Sequence, residues 1–236
     1  MTNISISKNK RFQILIFASF SFFVGITMSA LGQEKKPFFT EDFEQGKDRW
    51  EMTDPNVWTV STDDKGNHLL CLTGSSQYEP AVRSPKSIAL LKDIELEDFT
   101  LIVNAKQTGK EYGHRDLCFF FGYQDPKHFY YAHLATKADE HAHSIFLVND
   151  APRVSIAKER TNGIDWGQDF HQIKIVRDTK SGRIEVYYDD MTKPIMVAED
   201  KTFLKGRMGL GTFDDTGCFD NLQIWNTADS KIGTQK

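Results

Sequence analysis

LCFFFGYQD (117–125), PKHFYYAHL (126–134), ATKADEHAH (135–143) and SIFLVND (144–150) follow one another without a break and carry the most regular strand pattern of the chain. Its apolar, aromatic-rich runs are bounded by polar turn residues, the pattern of adjacent strands and not of a helix. Four of the seven histidines (His128, His133, His141 and His143) fall inside it, so the reactive side chains should gather on the face these strands present. In HFYYAHL, alternation sets Phe129, Tyr131 and His133 against His128, Tyr130 and Ala132. On the preceding strand it sets Phe119, Phe121 and Tyr123 against Cys118, Phe120 and Gln124. One face of each strand enters the core, leaving the other to offer rings, an imidazole and an amide.

Outward from this stretch, Phe170–Val176 and Arg183–Tyr188 read as a hairpin closed by the turn at 178–182. Ile173, Ile175, Ile184, Val186 and Tyr188 face inward and Lys174, Arg183 and Glu185 outward. Further strands are expected at Phe38–Phe43, His68–Leu72, Phe99–Ala105, Ile195–Ala198, Arg207–Phe213 and Phe219–Trp225, about a dozen in all. Helical periodicity is nearly absent. Many short strands with frequent turn signals indicate an all-β, antiparallel sandwich or barrel, read as one domain over 38–226 with a polar tail at 227–236.

Residues 1–32 carry the marks of an export signal. Lys8, Lys10 and Arg11 precede the apolar run Phe12–Thr27, which is short for a membrane span, and Ala30-Leu31-Gly32 offers a cleavage site before Gln33. A polar tether, 33–37, follows. The signal contains three of the 29 basic residues and none of the 33 acidic ones, so the remainder has 26 against 33 and a net charge of −7. An acidic exported domain is poorly matched to nucleic acid or anionic lipid, and no further apolar run approaches a spanning length. Of the three cysteines, Cys118 lies in an apolar run as a buried thiol, while Cys71 and Cys218 are free to pair or not. No CxxC pair suggests a sulfur-rich metal site.

The closing segment GRMGLGTFDDTGCFDNLQIW (206–225), with FFTEDFEQG (38–46) and DFHQIKIVRDTKSGRIEVYYDD (169–190), resembles the concanavalin A-like lectin/glucanase superfamily, most closely its laminin-G-like jelly rolls. The resemblance covers nearly all of 38–225 and implies a two-sheet antiparallel jelly roll that recognises or acts on an extracellular polysaccharide or glycan. It does not imply an activity, because this architecture hosts lectins, glycoside hydrolases, lyases and adhesion modules. The Glu-x-Asp-x-(x)-Glu strand of family-16 glucanases is absent. The acidic cluster Asp93, Glu95, Glu97 and Asp98 reads as a solvated strand edge.

Three sites are expected. Tyr123, Gln124, Tyr131 and His133, with Arg115 at the mouth, form a candidate sugar-binding face, where rings stack on sugar C–H faces and polar groups take hydroxyls or a uronate carboxylate. His133, Tyr131, Arg115 and Gln124 also resemble the set of jelly-roll polysaccharide lyases, in which Arg or Gln neutralises the uronate and His or Tyr moves the C5 proton. His141 and His143, with His133 as a third ligand, form a candidate transition-metal site. The resemblance further implies a structural Ca2+ held by Glu41, Asp42 and Asp220, with Asp214-Asp215 as the alternative. Trp166 is expected to pack at the entry to the middle hairpin.

Overall fold

The computed structural model describes Met1 and residues 36–226; the rest of the expected export signal, most of the expected tether and the expected polar tail lie outside the described residues. Among the described residues sixteen strands form two antiparallel sheets. The seven-stranded sheet runs β10 (Val154–Ser155), β9 (Ser144–Asn149), β8 (His128–Ala135), β7 (Asp116–Asp125), β15 (Arg207–Thr212), β5 (Ser87–Leu91), β2 (Trp50–Met52). The nine-stranded sheet runs β11 (Ala157–Arg160), β14 (Met196–Glu199), β13 (Arg183–Tyr188), β12 (His171–Asp178), β6 (Phe99–Gln107), β16 (Gly217–Asn226), β4 (His68–Leu72), β3 (Trp58–Thr62), with β1 (Phe39–Glu41) also on β16. This is the two-sheet sandwich the strand pattern implies, and one 3-10 turn at Pro55–Val57 is the helical element among the described residues. None of their helices is long and apolar enough to cross a membrane.

The core lies between the sheets. The β12–β13 hairpin pairs Ile173 with Tyr188 and Ile175 with Val186, burying the isoleucines and valine as their alternation requires. Phe99, Leu101, Val103 and Ala105 do the same on β6, and Phe119, Phe121, Tyr130, Ala132 and Leu134 face them from the opposite sheet. Trp166 is buried against His171 and Tyr188. Cys71 and Cys218 sit opposite each other on β4 and β16 and form a disulfide, which settles the pairing the sequence left open. Cys118 is buried with a free thiol.

The outer face of the seven-stranded sheet departs from expectation. Ile88, Leu90, Cys118, Phe120, Tyr123, Phe129, Tyr131, Phe146 and Val148 form a second apolar cluster there, and it is covered. Val82, from the loop between β4 and β5, packs on it. Arg153 is held by a backbone bond from its amide to the Arg83 carbonyl, and its guanidinium lies 4.9 Å from the Phe146 ring centre and 4.2 Å from that of Phe213. Tyr123 joins this cluster because Gly122, at φ 57°, sits in a bulge where the β7 register against β8 and β15 shifts. An extra residue in one strand reverses the alternation beyond it. Tyr123 therefore faces the same side as Cys118 and Phe120, not the side of Phe119 and Phe121.

Candidate functional site

Two places at opposite ends of this outer face gather polar and titratable side chains, and a ladder of buried rings joins them. Tyr123 stacks on Phe129 (5.2 Å between ring centres), Phe120 on Tyr131 (5.7 Å) and Tyr131 on Phe146 (5.2 Å), and His133 follows. Phe120, Phe129, Tyr131 and Phe146 are at most 1% exposed. The open platform of rings expected from HFYYAHL is thus a sealed layer, because large rings on both faces of β7 and β8 need cover on both.

At the β7 C-terminal end, a groove of about 270 Å³ is lined by Tyr78, Tyr123, Gln124, Asp125, Pro126 and Arg207, together with Glu51 and Met52. Tyr78 is half-buried and Gln124 exposed. Arg207 lies 5.6 Å from the Tyr123 ring centre and pairs with Glu51. Burial raises the Tyr123 hydroxyl well above its usual pKa, so it stays a neutral hydrogen-bonding group. The groove combines ring surface with donors and acceptors at its rim.

At the other end, a pocket of about 140 Å³ is lined by Arg83, Tyr112, His114, Asp116, His133, His141, Arg153, Phe213 and Asp214. Strand geometry builds its floor. Asp116 and Cys118, two apart on β7, share a face, and pairing sets His133 on β8 directly opposite Cys118. The His133 Nε2 lies 3.0 Å from Asp116 Oδ2, and the Cys118 thiol donates to that same oxygen at 3.2 Å. The Phe213 amide and Thr212 hydroxyl also donate to Asp116, at 3.0 Å each. Burial would push Asp116 up, but His133 and these donors outweigh it and hold the carboxyl below the usual range. Its neighbour Asp215, receiving bonds from the Asp116 amide and the Tyr112 hydroxyl, is pushed up to about 7 by burial and by the Asp116 charge.

The expected site residues are distributed differently. Gln124 is six residues along β7 from Cys118, about 20 Å at the rise of a strand, so it and His133 serve different ends. Arg115 is not at a mouth. It is buried, with its guanidinium donating to the Gln107 side chain and carbonyl and to the Gly167 carbonyl. Tyr131 is sealed with its hydroxyl accepting from Arg153 at 2.9 Å, and burial raises its pKa far above the ordinary value. The four residues of the lyase pattern are therefore not assembled around one point.

His141 and His143 also part. His141 is exposed beside Glu140, whereas His143, at φ 50°, turns inward and meets the Thr161 hydroxyl at 2.8 Å. Neighbouring residues at i and i+2 share a side only on extended chain, and the left-handed residue breaks that rule. Glu41 accepts from the Phe43 amide and the Trp50 indole, Asp42 from the Glu44 amide, and Asp220 from Asn67 and Asn221. These three carboxylates are not drawn into one ligand group; among the described residues the groups that converge are Asp116–Cys118–His133 and Asp116–Asp214–Asp215. Glu95 pairs with Lys205, and Asp98 accepts from Thr179, in wider charged clefts whose sole aromatic lining is Phe38.

No family model and no curated protein matches this chain. Solved structures do. A carbohydrate binding module, CBM66 from Bacillus subtilis, is 21% identical over 75% of this chain and 94% of its own, with a TM-score of 0.52. The family-43 glycoside hydrolase protein BlXynB from Bacillus licheniformis is 14% identical over 82% of this chain and 40% of its own, at 0.54. Lectin I-B4 from Griffonia simplicifolia is 13% identical over 79% and 98%, at 0.50. At such identities the likeness speaks for architecture, and with the two-sheet strand order it makes this chain a concanavalin A-like jelly-roll β-sandwich.

Proposed function

We propose that this chain is an exported protein that binds a polysaccharide or glycan, without turning it over, through the groove at Tyr78, Tyr123, Gln124 and Arg207. The groove itself carries the reading: the half-buried Tyr78 ring, flanked by the Gln124 amide, carboxylates and the Arg207 guanidinium, suits a sugar whose C–H face stacks on the ring while its hydroxyls take the rim, with the covered Tyr123 ring as part of the wall. At about 270 Å³ it approaches the volume of ordinary ligand sites, roughly 300 Å³ and above; the charged clefts at Glu95 and Lys205 are larger, about 480 and 550 Å³, but offer no tyrosine, and the pocket of about 140 Å³ beside His133 admits one small group. A carbohydrate binding module and a lectin among the chains that share the fold support this ligand class. Export is supported by the basic head and apolar run of residues 1–32 and by a disulfide, a bond that persists in oxidising compartments.

A glycan array probed with wild type and Tyr78→Ala tests the reading. Capture of a defined glycan class that weakens at least tenfold in the variant is expected. Silence across the array would leave the fold to a protein-adhesion role, and release of unsaturated product from uronate polymers would make the chain a lyase; either outcome overturns the proposal.

A further inference from the structure

The polar pocket beside His133 holds a constellation that sugar binding does not explain. His133 is 3% exposed, yet its Nδ1 has no hydrogen-bond partner and its Nε2, though 3.0 Å from Asp116, is not aligned to donate. An unsatisfied buried polar group costs about 1–3 kcal/mol, so such an imidazole calls for a partner. The free thiol of Cys118 is equally sealed, between Asp116 and His133. Donor atoms of Asp116, Cys118 and His133 all lie within 4.8 Å of one another.

We propose that Asp116, Cys118 and His133 bind a zinc ion, with the fourth position turned to the pocket. Tetrahedral zinc with bonds of about 2.0–2.3 Å separates its ligand atoms by roughly 3.3–3.7 Å. The observed 3.0 and 3.2 Å need open by only a few tenths of an ångström. One thiolate, one imidazole and one carboxylate form a mixed set suited to zinc and not to calcium or magnesium, which take oxygens alone. Charge also balances: zinc with the Asp116 carboxylate, the Cys118 thiolate and a neutral His133 sums to zero, the condition a dry interior favours. Binding breaks the Cys118 S–H bond and forms an S–Zn bond, and the proton leaves to solvent through the pocket. The Thr212 hydroxyl and Phe213 amide already orient Asp116, an outer layer of the kind that fixes ligands before the ion arrives. Three protein ligands leave a position for water under Tyr112, His114 and Arg153.

The inference is independent of the glycan groove, and its test reads metal alone. Tag-free protein, stripped with chelator, is titrated with zinc by calorimetry in two buffers of different ionisation enthalpy. One equivalent should bind, with release of at least one proton. Cobalt in place of zinc should give a thiolate charge-transfer band and the visible bands of a tetrahedral centre; that measurement needs no variant and so survives any folding defect. Cys118→Ser and His133→Gln should each weaken zinc at least tenfold, while His68→Ala, a surface histidine paired with Glu44, should leave it unchanged. Absence of binding in wild type, a cobalt spectrum without the thiolate band, or undiminished affinity in Cys118→Ser would overturn the assignment.

Discussion

His143 shows how one side chain ties the molecule to pH. Its Nδ1 accepts from the Ala135 amide, so Nε2 carries the proton donated to Thr161, and the neutral ring is the form the site fits. Burial, then the nearby His133 and Arg160, lower its pKa to about 4, against about 6.5 in the unfolded chain. The folded pKa is depressed, so this stability is complete above pH 6.5 and is lost as pH falls toward 4, by up to about 3 kcal/mol. His143→Gln should therefore flatten the loss of stability between pH 6.5 and 4, measured by urea unfolding at several pH values. A variant as acid-sensitive as wild type would refute this. Sequence marked His143 as reactive through its type and its neighbour His141. It could not reveal the left-handed backbone that sends the two rings apart, since that turn is set by tertiary contacts.

At the scale of elements, most strands were legible because alternation is local: β4 and β13 fall where the pattern sets them, and β12 within two residues. The face of β7 was harder. LCFFFGY is apolar without interruption, and such a run marks a strand buried on both sides. The exposed face expected from HFYYAHL conflicts with that signal, and the covering loop that carries Val82 has no periodicity to announce it. The Asp116-x-Cys118 spacing was readable as a shared face, but its partner His133 is fixed only by the β7–β8 register. The glycines of GRMGLGT have an equally local meaning. A Cβ on Gly211 would stand 1.9 Å from the Ser87 carbonyl oxygen, so β15 and β5 approach only without a side chain there. Gly211→Ala should destabilise by about 3 kcal/mol or more, read from denaturant midpoints, because backbone cannot yield as a side-chain tip can. A cost under about 1 kcal/mol would show that the sheet adjusts freely.

For the whole molecule, the Cys71–Cys218 bridge ties β4 to β16 across a separation of 147 residues. Closing so long a loop in the unfolded chain removes much of its entropy, so Cys71→Ser with Cys218→Ser should cost about 2–5 kcal/mol and lower Tm by several degrees. An unchanged melting curve would deny the bridge a structural role. Short alternating strands with frequent turn signals indicated the sandwich, and sequence placed both cysteines near opposite ends of the domain. Their pairing required the sheet order, which brings the two cysteines together although most of the domain separates them in sequence. The same order leaves the groove proposed to bind glycan at the edge of the covered face, where Tyr78 from a loop and Tyr123 from a bulge line the same space. Tyr78 lies in a loop with no periodicity to mark it, and Arg207, though on an expected strand, is brought beside Tyr123 only by the β7–β15 register, which is why neither was read as a candidate residue.

Amide chemical-shift mapping with an oligosaccharide of the class the array selects reads glycan binding at the groove residue by residue. Saturable shifts should cluster at Tyr78, Tyr123, Gln124 and Arg207 and be lost in Tyr78→Ala with the remaining spectrum intact. Shifts centred on Glu95 and Lys205, or no saturable shifts at all, would contradict it.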